Sequence, residues 1–250
     1  MRLGSFCIGF GVAASFALGC TDIPTDDNAI LAISVDTVAA PAVVLGDTLR
    51  DTTGKAVPLT ASVYNFKGNV VSSAPIQFQA IDRGITVNKT TGFVVGDSLR
   101  DTPARIVVSV GGLQAIQQLL VTTRPDTVFA VNGRDSLVYS FTDTTKNVSP
   151  ALSVRVRHTL TTDSAVKNYL VTFAIVSTSD TTLAKLVNDA GTSSRVDTTD
   201  ANGEASRKIR LNPAKLSAVN DSVIVMASVK YRGAVRGSPV RLVLKVKSPT

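Results

Sequence analysis

Apolar and polar residues alternate with a period of two in short segments along most of the chain. The clearest segments are 59–64, 76–80, 106–110, 152–157 and 240–247. Successive side chains on a β-strand point to opposite faces, so this alternation predicts strands with one buried and one solvent-facing side. Gly, Asp, Asn and Pro separate the segments at intervals of about 8–12 residues, a spacing typical of β-sandwiches. After the first twenty residues, no stretch has a sustained helical period.

The composition points to the same class. The 250-residue chain has no tryptophan and one histidine, and among its 19 acidic residues only Glu204 is a glutamate. Strong helix formers are scarce, while Asp, Thr, Ser, Val and Gly are abundant, which favours turns and strands. The length suffices for two domains of usual size. Arg124-Pro125-Asp126 follows one series of strands, so we predict an all-β protein with domains at 29–124 and 125–250.

The N-terminus has the layout of an export signal. Met1-Arg2-Leu3 precedes an almost uninterrupted apolar and small stretch that ends at Gly19. This stretch is too short and glycine-rich for a comfortable membrane span, and a charged start followed by an apolar core is typical of a secretory signal. Residues 20–28 are polar, contain three aspartates and are expected to form a flexible tether.

Cys20 ends this apolar stretch in the sequence Ala17-Leu18-Gly19-Cys20, which resembles the lipobox of bacterial lipoproteins with Ala17 and Leu18 in reversed order. The resemblance implies cleavage after residue 19 and acylation of Cys20, with the membrane as a partner through the lipid. Thr21 after the cysteine implies sorting to the outer membrane. A mature chain that begins at Cys20 holds no other thiol, so no disulfide within it is possible. The alternative is an ordinary secretory signal that happens to contain Cys7 and Cys20.

The first domain resembles the group 2 bacterial immunoglobulin-like (Ig-like) domain. The segments that carry the resemblance are "PLTASVYNFKGNVVSSAPIQFQA" (58–80), "GFVVG" (92–96) and "ARIVVSVGG" (104–112). The family often has tryptophan where Phe78 stands, and "DSLRDTP" (97–103) is an insertion. The resemblance implies an Ig-like sandwich with Phe78 in its core.

The second domain is similar to the group 1 bacterial Ig-like domain of invasin- and intimin-type surface proteins. Its most specific motif is T-D-x-x-G-x-A, which Thr199, Asp200, Gly203 and Ala205 satisfy. Asp and Asn bond to nearby backbone and Gly supplies a positive φ, so the motif predicts a turn into a strand. The alternative is a calcium loop with oxygens from Asp200, Asn202 and Glu204, but the EF-hand spacing is missing.

Candidate chemistry is sparse. The single histidine, His158, follows Arg157 on a predicted strand, with no cysteine or acidic motif close in sequence, and we expect an ordinary side chain. "SAVK" (164–167) matches S-x-x-K, but no K-T-G follows and the context is a connection between strands. No metal-ligand cluster or nucleotide fingerprint occurs. We therefore predict no enzymatic activity, no cofactor, no metal and no small-molecule substrate.

Positive charge is concentrated near the C-terminus. From residue 200 onward, ten Lys and Arg stand against three acids, which accounts for the whole net charge of +7. If the strands at 204–211 and 240–247 are neighbours, they form a basic face suited to an anionic glycan, lipopolysaccharide or another envelope protein. No aromatic residues interleave these charges, so nucleic acid is not expected. The alternative is a solvated strand face. The candidate residues are Lys208, Arg210, Arg241, Lys245 and Lys247.

The sequence thus indicates a non-catalytic, exported, lipid-anchored envelope protein that acts as a spacer or as an adhesion or binding module. The alternative is a glycan-binding accessory subunit of an envelope or polysaccharide-processing system, which an exposed cluster of Tyr139, Tyr169 and Tyr231 would favour. "GDTLRDT" (46–52) and "GDSLRDT" (96–102) are nearly identical, but their flanks differ. We interpret them as two similar segments of one domain and assign no binding role to Arg50 or Arg100.

Overall fold

The computed structural model describes residues 29–177, 182–216, 222–233 and 235–248. The predicted signal peptide (1–19) and tether (20–28), with Cys20, lie outside these residues. The described chain is built of β-strands, with two short 3₁₀ turns at Thr144–Lys146 and Pro213–Lys215. The buried apolar side chains form two clusters, one drawn from residues 40–121 and the other from residues 128–246. The chain is therefore all-β, as predicted, with two sandwiches in tandem.

The first sandwich places its core between short sheets. Four strands form a sheet in the order β2-β8-β7-β4, while β1 pairs with β3 and β5 pairs with β6. Ile106 and Val108 of β7 are fully buried and Ser109 is half-buried, so the alternation in the sequence matches the faces of the strand. The strands are β1 (Ile30–Val35), β2 (Ala42–Val44), β3 (Ala61–Asn65), β4 (Gln77–Ala80), β5 (Ile85–Val87), β6 (Val94–Gly96), β7 (Arg100–Val110) and β8 (Leu113–Thr122).

The second sandwich has two larger sheets. One has the order β10-β18-β17-β13-β15, and the other has the order β12-β11-β16-β14 with β9 also paired to β11. Phe173, Leu242 and Leu244 are fully buried between them. The strands are β9 (Thr127–Asn132), β10 (Arg134–Val138), β11 (Leu152–His158), β12 (Ser164–Ala165), β13 (Leu170–Ile175), β14 (Ala184–Val187), β15 (Val196–Thr198), β16 (Glu204–Leu211), β17 (Ser222–Ser228) and β18 (Val240–Lys247).

In both sandwiches, the first two strands pair with strands of two different sheets. In the first, β1 pairs antiparallel with β3, and β2 then pairs parallel with the last strand, β8. In the second, β9 pairs antiparallel with β11, and β10 pairs parallel with the last strand, β18. Both units therefore share this crossing between sheets, although their sheets differ in strand number, and both are Ig-like sandwiches.

A single turn design closes four of the hairpins and loops. Its first residue is Asp or Asn, whose side-chain Oδ1 accepts a hydrogen bond from the amide four positions later, at 2.8–3.0 Å. The fourth residue is a glycine with φ between +77° and +83°, a backbone region that other residues enter only with strain. The pattern [DN]-x-x-G thus specifies these turns locally. The pairs are Asp51 with Gly54, Asn65 with Gly68, Asn188 with Gly191, and Asp200 with Gly203.

Candidate functional site

The predicted lipidation site, Cys20, lies outside the described residues. Among the residues that the structure describes, no helix is long and apolar enough to cross a membrane. The anchor therefore stays a prediction from the sequence.

The predicted basic face does not exist as one surface. Lys208 and Arg210 lie on β16, whereas Arg241, Lys245 and Lys247 lie on β18, and these two strands belong to opposite sheets of the second sandwich. Both sets point outward, as the alternation predicted, because the residues between them are buried. Their outward directions are opposite, however. The predicted face required the two strands to be neighbours, and this condition is not met, since adjacency of strands is set by topology and not by their shared period.

The T-D-x-x-G-x-A motif forms a turn, in agreement with the first interpretation. The Asp200 carboxylate accepts hydrogen bonds from the amides of Asn202 and Glu204, at 2.8 and 2.9 Å. Glu204 forms an ion pair with Arg155 across the sheet. The carboxylate oxygens considered for calcium therefore bond within the protein. In the described part of the chain, no group of three or more His, Cys, Asp and Glu side chains is placed to hold a metal ion.

The motif also anchors its turn to the sandwich interior. Thr199 is 1% exposed, and its hydroxyl donates to the carbonyl of Val166 at 2.7 Å and accepts from the amide of Tyr169 at 2.9 Å. A Cβ on Gly203 would lie 2.5 Å from the carbonyl oxygen of Val156, so only glycine permits this close approach. Ala205 is buried beneath. The four motif residues thus join the turn to the neighbouring segment 165–169.

Replacing Thr199 with Val is expected to destabilise the protein by about 2 kcal/mol, because it leaves a buried carbonyl and a buried amide without a partner. Thr198→Val is the matched control, since Thr198 is half-buried and outward-facing on β15. Urea denaturation followed by circular dichroism measures both. Equal effects of the two variants would show that the Thr199 hydroxyl does not hold the turn.

His158 lies in a polar cluster at the start of the second sandwich. Its Nε2 is 2.8 Å from Thr161 Oγ1, and its Nδ1 is 3.0 Å from Asp126 Oδ2 without the alignment of a hydrogen bond. Asp126 already accepts hydrogen bonds from the amides of Thr159 and Leu160, at 2.8–3.0 Å. Burial raises the pKa of Asp126, but these hydrogen bonds outweigh it and hold the pKa below its usual value. The Asp–His–Thr arrangement therefore ties residue 126 to the loop after β11.

Ser164 and Lys167 of the S-x-x-K match line an open groove of about 360 Å³ between the two sandwiches. Ser164 lies on β12, where it faces His158 in the β-ladder. No hydrogen bond joins Ser164 to Lys167 in the described structure. The motif therefore lacks the activated hydroxyl that a nucleophile requires.

The most developed polar site lies between the sandwiches, at Asp47. The Asp47 side chain is 1% exposed, and both of its oxygens accept hydrogen bonds from Arg50, at 2.8 and 3.0 Å. Arg232 of the second sandwich forms an ion pair with the same carboxylate. One buried carboxylate therefore joins an arginine from each sandwich. We call this set of residues, together with Tyr231 and Arg124, the junction.

Tyr231 completes the junction from the second sandwich. Two guanidinium groups lie over its ring, with Arg50 at 5.7 Å and Arg124 at 5.4 Å from the ring centre. These distances suit cation–π attraction, which strengthens when the groups are desolvated. Next to it, Gly54 comes so close that a Cβ there would lie 2.6 Å from the Tyr231 carbonyl oxygen. Leu170 of β13 packs against the core of the first sandwich. The contact is thus both polar and apolar.

The electrostatics of the junction favour the closed state at neutral pH. Burial raises the pKa of Asp47, but hydrogen bonds from Arg50, Arg232 and Tyr231 outweigh it and hold the pKa well below the usual range. Burial raises the pKa of Tyr231 to about 12, and burial also raises that of Tyr169. The carboxylate is therefore charged and the two phenols are neutral across the physiological range.

The near repeat contains two of the junction residues, Asp47 and Arg50, but its sequence does not indicate their role. Asp47 and Arg50 of "GDTLRDT" form the buried pair, whereas Asp97 of "GDSLRDT" is exposed and Arg100 bonds to the carbonyl of Arg83 and the hydroxyl of Thr102. The two copies also contact each other, since the Gly46 amide donates to the Gly96 carbonyl at 2.7 Å. Arg50 thus has a structural role within the chain, while the expectation that neither Arg50 nor Arg100 binds a partner stays a prediction. The equal spacing in both copies could not reveal which one faces the second sandwich.

The tyrosines do not form one exposed cluster. Tyr139 is 8% exposed and packs edge-to-face on Phe141. Tyr169 donates its hydroxyl to the Lys230 carbonyl at 2.7 Å, and Tyr231 lies in the junction. The arrangement that would have favoured a sugar-stacking surface is therefore not present at these three residues.

The strand topology and the junction define a tandem Ig-like β-sandwich protein. No family model matches the chain, and no curated protein matches it. Among solved structures, domains 4 and 5 of the S-layer protein SbsC are similar, with 12% identity, 87% of this chain and 98% of that chain covered, and a TM-score of 0.32. The D00-D0 domain of intimin has 11% identity, 85% and 99% coverage, and a TM-score of 0.30. Human protocadherin-24 EC1-2 has 17% identity, 89% and 100% coverage, and a TM-score of 0.30.

Proposed function

We propose that this protein is a non-catalytic, lipid-anchored component of a bacterial cell envelope, whose two Ig-like sandwiches form a spacer that carries an adhesion or binding surface. The observation that supports this function is the junction, in which Asp47 binds an arginine from each sandwich. Linked domains move independently by default unless their interface holds them. A spacer needs such an interface, because only a fixed orientation presents the outer domain away from the anchor.

The domain types, the anchor and the location are proposed from the sequence. The first sandwich, residues 29–124, is of the group 2 type, and the second, residues 125–250, is of the group 1 type. Cys20 is the acylated first residue of the mature chain, residues 20–28 are the tether, and the protein is sorted to the outer membrane. The surface of the second sandwich, which is farther from Cys20 along the chain, contacts the partner.

The polar groups considered for chemistry support a non-catalytic role. Asp126 is occupied by backbone amides, and Ser164 has no bonded base. The alternative function, a glycan-binding subunit that stacks sugars on exposed tyrosines, has no supporting observation at Tyr139, Tyr169 or Tyr231.

Expression with the native N-terminus is expected to give a protein whose intact mass begins at Cys20 and includes acyl chains, and which sediments with membranes. Each buried methylene contributes about 0.8 kcal/mol, so several chains hold the protein firmly. Cys20→Ser should release it into the soluble fraction. Cys7→Ser is the matched control, because that cysteine lies inside the predicted signal and should leave fractionation unchanged.

An unmodified, soluble mature chain would contradict the anchor and indicate a secreted binding protein instead. A soluble Cys7→Ser variant would contradict the assignment of Cys20 as the acylated residue. Intact mass spectrometry distinguishes these outcomes, since it reads both the first residue and the added mass.

A further inference from the structure

One sheet of the second sandwich presents an outward face without acidic side chains. The sheet is β10-β18-β17-β13-β15, and its described strands contain two acids, Asp135 and Asp197. Both lie at the alternate, inward positions of their strands. Asp197 forms an ion pair with the buried Arg207, and Asp135 bonds to Asn132 and the amide of Ser136. The outward positions therefore carry only neutral and basic residues.

Four cations stand on this face, which we call the cationic face. Arg241, Lys245 and Lys247 are exposed on β18, and Arg134 is exposed on the neighbouring strand β10. The pairing register places Arg134 opposite Val243, between Arg241 and Lys245 along the strand direction. Residues two apart on a strand are separated by about 7 Å, so the four charges form a band roughly 20 Å long. In the described structure, none of the four side chains forms an ion pair or a hydrogen bond.

The opposite sheet is arranged differently. Three of its outward-facing basic residues on β11 and β16 have acidic partners: Arg155 pairs with Glu204, Arg157 with Asp163, and Lys208 with Asp189. The two without partners are Lys185 and Arg210, which lie directly opposite each other at the end of β14 and β16. Acidic side chains thus neutralise three of the five outward cations on the described strands of this sheet and none of the four on the cationic face, so unpaired positive charge is concentrated on the cationic face.

From this geometry we propose that the cationic face binds a linear acidic polysaccharide. A band of charges along one strand matches a polymer whose anionic groups repeat along its length, and it lacks the convergent donors that would hold a single small anion. No aromatic side chain stands on the face, which disfavours single-stranded nucleic acid. The apolar side chains at its centre, Ile224, Met226 and Val243, are half-buried, so none of them projects far enough to insert into a bilayer.

This inference rests on the proposed binding module for its biological role but not on the lipid anchor. The test therefore uses residues 20–250 with Cys20→Ser, which carries no acyl chain whether or not acylation occurs in the cell. The probe is polygalacturonate, with neutral dextran as the uncharged polymer. Failure of binding then reports on the cationic face, while the fractionation of the native protein reports on the anchor.

The test variant is Arg134→Gln/Arg241→Gln/Lys245→Gln. The matched control is Lys185→Gln/Arg210→Gln/Lys215→Gln, which removes three exposed charges elsewhere on the second sandwich and changes the net charge equally. At low salt, three lost contacts of about fivefold each are expected to weaken binding of polygalacturonate roughly 100-fold. The slope of log K against log salt should fall by about 2. The control should bind like the wild type.

Equal weakening by both variants would overturn the proposal, because net charge alone would then explain binding. Absence of wild-type binding at low salt would also overturn it. Binding of anionic-lipid vesicles or duplex DNA that is tighter than binding of polygalacturonate, and lost in the test variant, would assign the face to a different partner. Circular dichroism and the thermal midpoint confirm that each variant is folded.

Discussion

Asp47→Asn is expected to destabilise the protein by about 3 kcal/mol and to release the two sandwiches from each other. Asp47 is 1% exposed and carries the only charge that opposes Arg50 and Arg232 at the described junction. Removing one partner of a buried ion pair typically costs 3–5 kcal/mol, because the other partner is left without compensation. We expect a free-energy cost at the lower end of this range, because Arg232 is 56% exposed and water can solvate it.

The matched control is Asp97→Asn. Asp97 occupies the same place in "GDSLRDT" as Asp47 in "GDTLRDT", but it is exposed, and within the described residues its side chain accepts one hydrogen bond, from Thr86 at 3.5 Å. The control is expected to change stability by less than about 0.5 kcal/mol. Urea denaturation measures stability, and small-angle X-ray scattering measures whether the sandwiches separate. Equal effects of the two variants would contradict the role of Asp47.

The pH dependence provides a second readout of the same interaction. The native pKa of Asp47 is lowered, so its contribution is complete above the unfolded value near 3.9 and is lost as the pH falls further. The stability difference between wild type and Asp47→Asn should therefore shrink below about pH 4. The pKa of Tyr231 is raised to about 12, so its contribution is present below about pH 10 and is lost as the pH rises toward 12. A wild-type junction that opens between pH 5 and 9 would contradict this account.

Gly54→Ala is expected to destabilise the protein by about 2 kcal/mol more than Gly68→Ala. Both glycines occupy the fourth position of the same turn design, with φ of +83° and +77°, so both variants incur the same backbone strain of about 1–2 kcal/mol. They differ in their surroundings. A Cβ on Gly54 would lie 2.6 Å from the Tyr231 carbonyl oxygen, whereas nothing lies within 4 Å of a Cβ on Gly68.

The additional cost of Gly54→Ala arises because the backbone of the second sandwich must move away, and overpacking of this kind costs about 1–3 kcal/mol. Denaturation gives the difference in stability between the two variants, and scattering shows whether the sandwiches separate. If Gly54→Ala behaved like Gly68→Ala in both measurements, the close approach of the sandwiches would not exist in solution.

Much of the architecture could be predicted from the sequence, because its causes are local. The alternation at 106–110 and 240–247 follows from the two faces of a strand, and the buried and exposed positions of β7 and β18 agree with it. The T-D-x-x-G-x-A turn was predictable for a similar reason, since Asp200 bonds to amides two and four residues away. In both cases the interacting groups are close in the chain, so the pattern of residue types records them.

The sequence pattern could not predict which basic residues share one surface. Alternation showed correctly that Arg210 and Lys245 point outward, but a period of two contains no information about which sheet a strand joins. Long-range pairing placed β16 beside β11 and β14, and placed β18 between β10 and β17. That pairing removed Lys208 and Arg210 from the surface of β18 and added Arg134 to it. The grouping of charges was therefore decided by topology.

The junction shows most clearly which features are specified by residues close in the chain and which depend on the tertiary structure. By itself, the sequence determined an all-β chain of alternating strands, four Asp- or Asn-initiated turns, and a candidate anchor at Cys20, because residues near one another in the chain specify each of these. Only the tertiary structure decided that Asp47 is buried while Asp97 is exposed. The two stand in almost identical segments, and the difference arises because Arg232, 185 residues away, packs against one of them and not the other.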